Sequence, residues 1–120
     1  MNISQAAKLS GLSSKTIRFY EQQGIIQAAN RADNGYRVYN DKQLEQLRFI
    51  KRARDLGFSL DESKELLGLL HNPERRSAEV KARVLAHVEQ IDQQLIQLAK
   101  MREQLLILSN QCRGDNGADC

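Results

Sequence analysis

The sequence predicts a mainly α-helical fold, in which several short helices and one small hairpin precede a single long helix. Capping residues and glycines divide the first 71 residues into short helical segments. An Asn34-Gly35 pair, a strong hairpin signal, interrupts them. Residues 74–109 then contain neither glycine nor proline. Hydrophobic residues make up 41% of the chain and aromatic residues only 5%, a balance that suits helices built on Leu, Ile and Val rather than a β-sandwich.

Two short helices open the chain. Ser4 is a capping-type residue, and the helix that it predicts stops at Gly11. Ser13 is a good N-cap for a second helix over residues 14–23. The connecting sequence SGLS has about the length that a helix-turn-helix needs.

A hairpin is predicted next. Asn34-Gly35 indicates a type I′ turn. Residues 36–39, YRVY, form a predicted short strand, and residues 24–28, GIIQA, are its predicted partner. Helix, turn, helix and hairpin follow one another in the order of a winged helix.

Two further helices are predicted after the hairpin. Asp41 caps the third helix, and either Ser59 or Asp61 opens the fourth. Together with the winged helix they give a predicted domain over residues 1–70. The apolar positions with helical spacing that we expect in its core are Leu44, Leu47, Ile50, Leu56, Leu60, Leu66, Leu67 and Leu70.

The last helix is predicted to begin near Pro73, the only proline, and to run over residues 74–109. Its apolar residues recur in a heptad-like stripe: Val84, Val88, Ile91, Leu95, Leu98, Met101, Leu105 and Leu108. A helix of roughly 35 residues is about 50 Å long, too long to bury that stripe on so small a domain. The sequence therefore predicts a homodimer that pairs this helix with a second copy.

Charge is unevenly distributed along the chain. Residues 1–57 carry ten Lys and Arg against five Asp and Glu, a balance of +5, whereas residues 58–120 carry eight against ten, a balance of −2. A basic front half indicates a polyanionic partner. The residues predicted to contact double-stranded DNA lie on the second helix, the hairpin and the third helix: Lys15, Arg18, Tyr20, Arg31, Tyr36, Arg37 and Arg54. Phe19, beside them, is expected in the core.

The only two cysteines, Cys112 and Cys120, frame a polar segment in residues 110–120. In a reducing compartment such a pair is more often a metal or redox site than a structural disulfide. Two thiolates are soft ligands that suit a monovalent d10 ion, whereas zinc normally takes four ligands. His71 and His87 lie on other elements, and we interpret both as ordinary helix histidines.

Several functional classes find no support in the sequence. The first residues lack the apolar region of a signal peptide, and no apolar run reaches membrane-spanning length, so a cytoplasmic protein without a membrane partner is expected. No nucleophile-base pair, phosphate loop or carboxylate pocket indicates an enzyme.

Two stretches, ISQAAKLSGLSSKTIRFYEQQGII and NGYRVYNDKQLEQLRFIKRARDLGFSLDE, resemble the MerR family of metal-responsive transcription regulators. The long helix followed by two cysteines resembles the family's copper-efflux regulators and their silver- and gold-sensing relatives. The resemblance implies a winged helix-turn-helix, a helical connector and an antiparallel coiled-coil dimer with a terminal metal loop. It also implies Cu(I), or Ag(I) or Au(I), at Cys112 and Cys120.

The same resemblance implies a mechanism. Promoters bound by the family have −35 and −10 elements spaced too far apart for RNA polymerase, and distortion of the DNA by the metal-bound dimer realigns them. In this way transcription of copper-efflux and detoxification genes would be switched. The alternative is a regulator in which a disulfide between the same two cysteines operates the switch.

Two more positions take a role from the resemblance. Family members that sense divalent ions place a cysteine where this chain has Ser77, so the third thiolate is missing. Ser77 at the helix start, and Lys81 one turn later, are then expected beside the partner's metal loop, where they offset its negative charge. Arg113, directly after the first cysteine, departs from the subgroup pattern.

Overall fold

The structure, a computed structural model, describes residues 1–71, 78–112 and 114. The chain divides into two compact units, Met1–Glu74 and Arg75–Cys120. Within the described residues the helices and strands are, in order, α1 (Ile3–Ser10), α2 (Ser14–Gln22), β1 (Asn30–Arg31), β2 (Arg37–Val38), α3 (Asp41–Asp55), α4 (Leu60–His71) and α5 (Ala78–Gln111). The mainly helical fold with a two-stranded wing is confirmed.

A capping box on Asn2 starts α1. The Asn2 side chain accepts a hydrogen bond from the Gln5 N–H (2.8 Å), and the Gln5 side chain accepts one from the Asn2 N–H (2.9 Å). The prediction that Ser4 caps this helix is therefore wrong, because Asn2 has the partner at the third helical position that completes the box. Ser13 caps α2 as predicted, accepting from the Thr16 N–H at 3.0 Å.

The wing differs from the prediction in its first strand. β1 is Asn30–Arg31, antiparallel to β2, with Arg31 opposite Arg37. Residues 24–28 form no strand, because Ile25 and Ile26 are buried in the core instead.

The turn of the wing is also wider than predicted. The Gly35 N–H donates to the Ala32 carbonyl and the Ala32 N–H donates to the Tyr36 carbonyl, both at 2.9 Å. Only Gly35 in this loop has a positive φ, of 83°. A type I′ turn needs positive φ at both central residues, so the loop over residues 33–35 is a three-residue turn rather than the expected two-residue one.

Capping boxes also start α3 and α4. Asn40 caps α3 together with Gln43, so Asp41, the predicted cap, is instead the first helical residue. Ser59 accepts from the Glu62 N–H at 3.0 Å while the Glu62 carboxylate accepts from the Ser59 N–H. Of the two predicted starts of α4, Ser59 is therefore correct.

The core of the first unit draws on every element before α5 except β1 and β2. Its clustered buried residues are Ala6, Ile17, Tyr20, Ile25, Ile26, Tyr39, Leu47, Ile50 and Leu67. Leu56 and Leu70, which the helical spacing placed in the core, are 62% and 64% exposed because each lies where its helix ends. Phe19 is also exposed, at 44%, so its predicted core position is wrong.

No residue of α5 is buried in the described chain. The stripe from Val84 to Leu108 is exposed throughout, from 38% at Ile91 to 62% at Leu98. The predicted start of this helix, with Pro73 and residues 74–77, lies outside the described residues. In the described part of the chain no helix is long and apolar enough to cross a membrane.

We predict that Leu47→Ala lowers the free energy of unfolding by about 2–5 kcal/mol, because Leu47 is fully buried. Leu56→Ala is the matched control, and we expect a change of no more than about 0.5 kcal/mol at that exposed site. Urea unfolding followed by circular dichroism measures both. Equal losses for the two variants would contradict this core assignment.

We also predict that the double variant Leu95→Asp, Leu98→Asp is monomeric, because it would bury like charges in the seam between two copies of α5. Gln93→Asp with Gln97→Asp adds the same charges between the stripe positions and should leave the dimer intact. Sedimentation at micromolar concentration measures the outcome. A monomeric wild-type protein would refute the dimer.

Candidate nucleic-acid interface and cysteine segment

Helix α2 separates a buried face from a basic one. Ile17 is fully buried and Tyr20 is 6% exposed, whereas Lys15 and Arg18 are exposed. The Arg18 Nε donates to the Ser14 carbonyl at 3.3 Å, which steadies the side chain along the helix. The exposed face thus presents two cations three residues apart, a spacing that suits phosphate and guanine contacts.

Tyr20 was predicted to contact DNA, but its ring belongs to the core. The exposed aromatic side chain at this end of α2 is its neighbour Phe19, with the two ring centroids 6.1 Å apart. The sequence suggested the opposite assignment because both residues are large and adjacent, and a short helix gives few positions from which to fix the phase of its buried face.

The wing carries the second group of candidate contacts. Tyr36 is 72% exposed, and its N–H donates to the Asn34 side chain at 3.1 Å. Arg31 Nη1 donates to the Gly35 carbonyl at 2.8 Å and so braces the turn. These bonds hold an exposed aromatic ring and a cation at the tip of a preformed hairpin.

Arg37 on β2 is tied to α2 through Glu21. Its Nε lies 3.4 Å from one carboxylate oxygen of Glu21, and the Tyr39 hydroxyl donates to the other. Burial and the neighbouring Glu21 carboxylate raise the pKa of Tyr39, so its hydroxyl stays protonated and remains a donor at neutral pH. Glu21 was not among the residues predicted from the sequence, where the only signal was one acidic residue within a basic segment.

Arg54 lies apart from this group. It is exposed in the last turn of α3, and its Nη1 donates to the Phe58 carbonyl at 3.0 Å. Within the described residues no hydrogen bond joins it to α2 or to the wing, so its role at the DNA remains a prediction.

The cysteine segment begins where α5 ends. Gln111 is the last helical residue, and the half-buried Cys112 follows it, its N–H donating to the Ser109 carbonyl at 3.2 Å. The sulfur of Cys112 is in a disulfide in this structure. Cys120, Arg113 and Ser77 lie outside the described residues.

Other candidate ligands and charges are scattered. Lys81 is exposed on the first turn of α5, His71 is exposed at the end of α4, and His87 is half-buried on α5. Across residues 1–71, 78–112 and 114, no group of three or more His, Cys, Asp or Glu side chains is placed to hold a metal ion.

A helix-turn-helix followed by a two-stranded wing defines the chain as a winged-helix protein. Residues 1–70 match the family model described as MerR HTH family regulatory protein, and residues 44–108 match the model described as MerR, DNA binding. The chain belongs to the MerR family, and double-stranded DNA is its partner. Homodimers are typical of that family.

Its relatives are transcriptional regulators. The chain is 52% identical over all 120 residues to the HTH-type transcriptional regulator CueR of Yersinia pestis, covering 86% of that protein. It is 45% identical to heavy metal-dependent transcription regulator 2 of Rhizobium meliloti, covering 82% of that protein. These similarities confirm the expected subgroup and a regulator rather than an enzyme.

A solved structure agrees with the fold. The transcription regulator PbrR691 from Ralstonia metallidurans, determined in complex with lead(II), superposes with a TM-score of 0.60 at 32% identity. The match covers all of this chain and 94% of that one.

We predict that Arg18→Ala weakens binding to a duplex selected by the wild-type protein from random DNA. Loss of one phosphate contact should also reduce the salt slope by about 1. Fluorescence anisotropy at several salt concentrations measures both quantities. Lys100→Ala on α5 is the control and should change neither; an unaltered slope and affinity for Arg18→Ala would remove Arg18 from the interface.

Proposed function

We propose that this chain is a metal-responsive activator that senses Cu(I), with Ag(I) or Au(I) as alternatives, through Cys112 and Cys120. One observation carries the proposal. Cys112 follows directly on the last residue of α5, and the only other cysteine comes eight positions later, after small, polar and charged residues. The similarity to CueR regulators along the whole chain supports this assignment.

The donor set fits a soft monovalent ion. Two thiolates favour Cu(I) over the harder divalent metals. Zinc normally takes four ligands, and the chain has only two cysteines. When bound, the ion would link the two thiolates and so constrain the segment that follows α5.

Charge compensation is the second requirement of this site. Two thiolates and one +1 ion leave a net charge of −1, which is costly to shield from water without a positive neighbour. We propose that the start of the partner's long helix, around Ser77, and the exposed Lys81 supply it. Both would act across the dimer interface.

Transcription is switched through the shape of the promoter. In this proposal each copy of α2 and of the wing contacts one half-site, with the side chains Lys15, Arg18, Arg31, Tyr36, Arg37 and Arg54. A dimer with two conformations distorts the duplex in only one of them. The distortion realigns promoter elements for RNA polymerase at a cost of a few kcal/mol, and differential affinity of the metal for the two conformations supplies that free energy.

The genes controlled in this way would be those of copper efflux and detoxification, in the cytoplasm. This assignment follows from the proposed signal, Cu(I). A regulator that responds to Cu(I) serves the cell when the genes that it controls remove that ion.

A thiol-disulfide regulator is the second candidate, and the disulfide of Cys112 is the observation that favours it. The two functions separate in one titration. Reduced, metal-free protein kept under anaerobic conditions should take up one equivalent of Cu(I) per chain and then activate transcription. If oxidation alone activates transcription and Cu(I) does not, the redox function is correct.

We predict that Cys112→Ser or Cys120→Ser abolishes Cu(I)-induced transcription, because each thiolate is half of the donor set. Binding to the selected duplex should be unchanged. The assay is transcription in vitro from a promoter that carries that duplex between widely spaced elements. X-ray absorption of the Cu(I) protein should show two sulfur ligands.

Ser77→Cys tests the selectivity of the same site. A third thiolate gives divalent ions a higher coordination number, so this variant should respond to Zn(II) or Hg(II), and the wild-type protein far less. A third or fourth ligand on Cu(I) in the wild type, or equal induction by Zn(II), would contradict the proposal.

A further inference from the structure

The carboxylate of Glu21 lies in an unusual place for an acidic group. It projects from the last turn of α2, the helix that carries Lys15 and Arg18, and it reaches β2 of the wing. An exposed carboxylate there would repel DNA phosphates. The Glu21 side chain is only 9% exposed, and both of its oxygens are taken by donors.

We propose that Glu21 is a positioning residue for DNA binding, which orients the Arg37 guanidinium and fixes the wing relative to α2. This inference rests on the proposed contact of Arg37 with DNA. Glu21 would not touch the duplex itself.

The geometry at Arg37 supports this role. Glu21 binds the Nε of Arg37 (3.4 Å), and in the described part of the chain no hydrogen bond occupies the two terminal nitrogens of that guanidinium. The side chain is 30% exposed. A guanidinium held by its Nε presents its terminal N–H groups as a fork, the arrangement that suits a phosphate.

Tyr39 supplies the fixed end of the linkage. Its ring is 1% exposed in the core, and its backbone N–H donates to the Met1 carbonyl at 2.7 Å. Because the Tyr39 hydroxyl donates to Glu21, the carboxylate is anchored to the core on one side and holds Arg37 on the other. The wing and α2 therefore share one charged linkage, although the sequence separates Glu21 from Arg37 by 16 positions.

Glu21→Gln tests the inference, because it removes the charge and keeps the shape. Two effects oppose each other in this variant. Loss of a negative charge near DNA should tighten binding, whereas loss of positioning should weaken it. We expect binding to the selected duplex to weaken about 3- to 10-fold, within the range seen for coupled neighbours, with a smaller salt slope. Glu45→Gln, which neutralises an exposed carboxylate on α3, is the matched control and should not weaken binding.

A double-mutant cycle separates positioning from general damage. If Glu21 acts through Arg37, the variant Glu21→Gln, Arg37→Ala should bind no more weakly than Arg37→Ala alone. If the losses in binding from Glu21→Gln and Arg37→Ala add in the double variant, the inference is overturned and the proposed DNA contact of Arg37 still stands. The same holds if Glu21→Gln binds as tightly as wild type while Arg37→Ala is impaired. Wild-type binding by Arg37→Ala would refute the proposed DNA contact and the inference with it.

Tyr39→Phe provides an independent measurement if Glu21→Gln does not fold. It removes the hydroxyl donor and leaves the ion pair of Glu21 with Arg37. Amide hydrogen exchange at Ala32, whose N–H donates to the Tyr36 carbonyl, and at Val38, which pairs with Asn30, should be faster in Tyr39→Phe than in the wild type, because the wing loses its anchor. Unchanged exchange at these two amides would overturn the inference.

Discussion

The constraint on which the rest of this molecule depends is the apolar stripe of α5, which is exposed in the described part of the chain. Helix α5 has 34 residues and no buried side chain in the described structure. Burial of apolar surface gives a favourable free energy of roughly 25 cal/mol per Å². Pairing of α5 with a second copy therefore has a large driving force. A twofold dimer then carries two DNA-reading units, which suits an operator with two related half-sites.

The first unit, Met1–Glu74, combines a stable core with an exposed charged surface. Its core is small and depends on complete burial of a few side chains, among them Ile17, Tyr39, Leu47 and Ile50. The same short elements hold cations on their outer faces. Ile17 and Arg18 are neighbours in sequence, and one is fully buried while the other is exposed. A single helix thus packs against the core with one face and presents cations to solvent with the other.

Sequence analysis predicted the helices well and the details of their ends less well. Ser13 and Ser59 were correct caps, but Asn2 and Asn40 took the place of Ser4 and Asp41. Nearby residues of similar capping ability compete there, and the Gln that completes each box decides the outcome. Residues 24–28 were mistaken for a strand because a short apolar run fits a strand and a buried loop equally.

In the candidate site, too, some residues were predictable from the sequence and others were not. The exposed basic residues of α2 and the wing were predictable from residue type and spacing. Tyr20 was misplaced because adjacent aromatic residues leave the helix phase open, and Glu21 was missed because its partners, Arg37 and Tyr39, are distant in sequence. Leu56 and Leu70 fit the helical period, but periodicity does not reveal that each lies where its own helix ends. Ser77 and Cys120 remain sequence-based predictions.

The braced loop of the wing has a thermodynamic consequence. Its tip is closed by backbone hydrogen bonds and by the Arg31 side chain before any partner arrives. A recognition loop that is ordered in advance does not lose its conformational entropy when it binds, a loss that amounts to about 1–2 kcal/mol for each residue fixed. In the proposed contact with a duplex this wing would therefore dock as a rigid body, and the free energy of its charge contacts would go into affinity rather than into folding the loop.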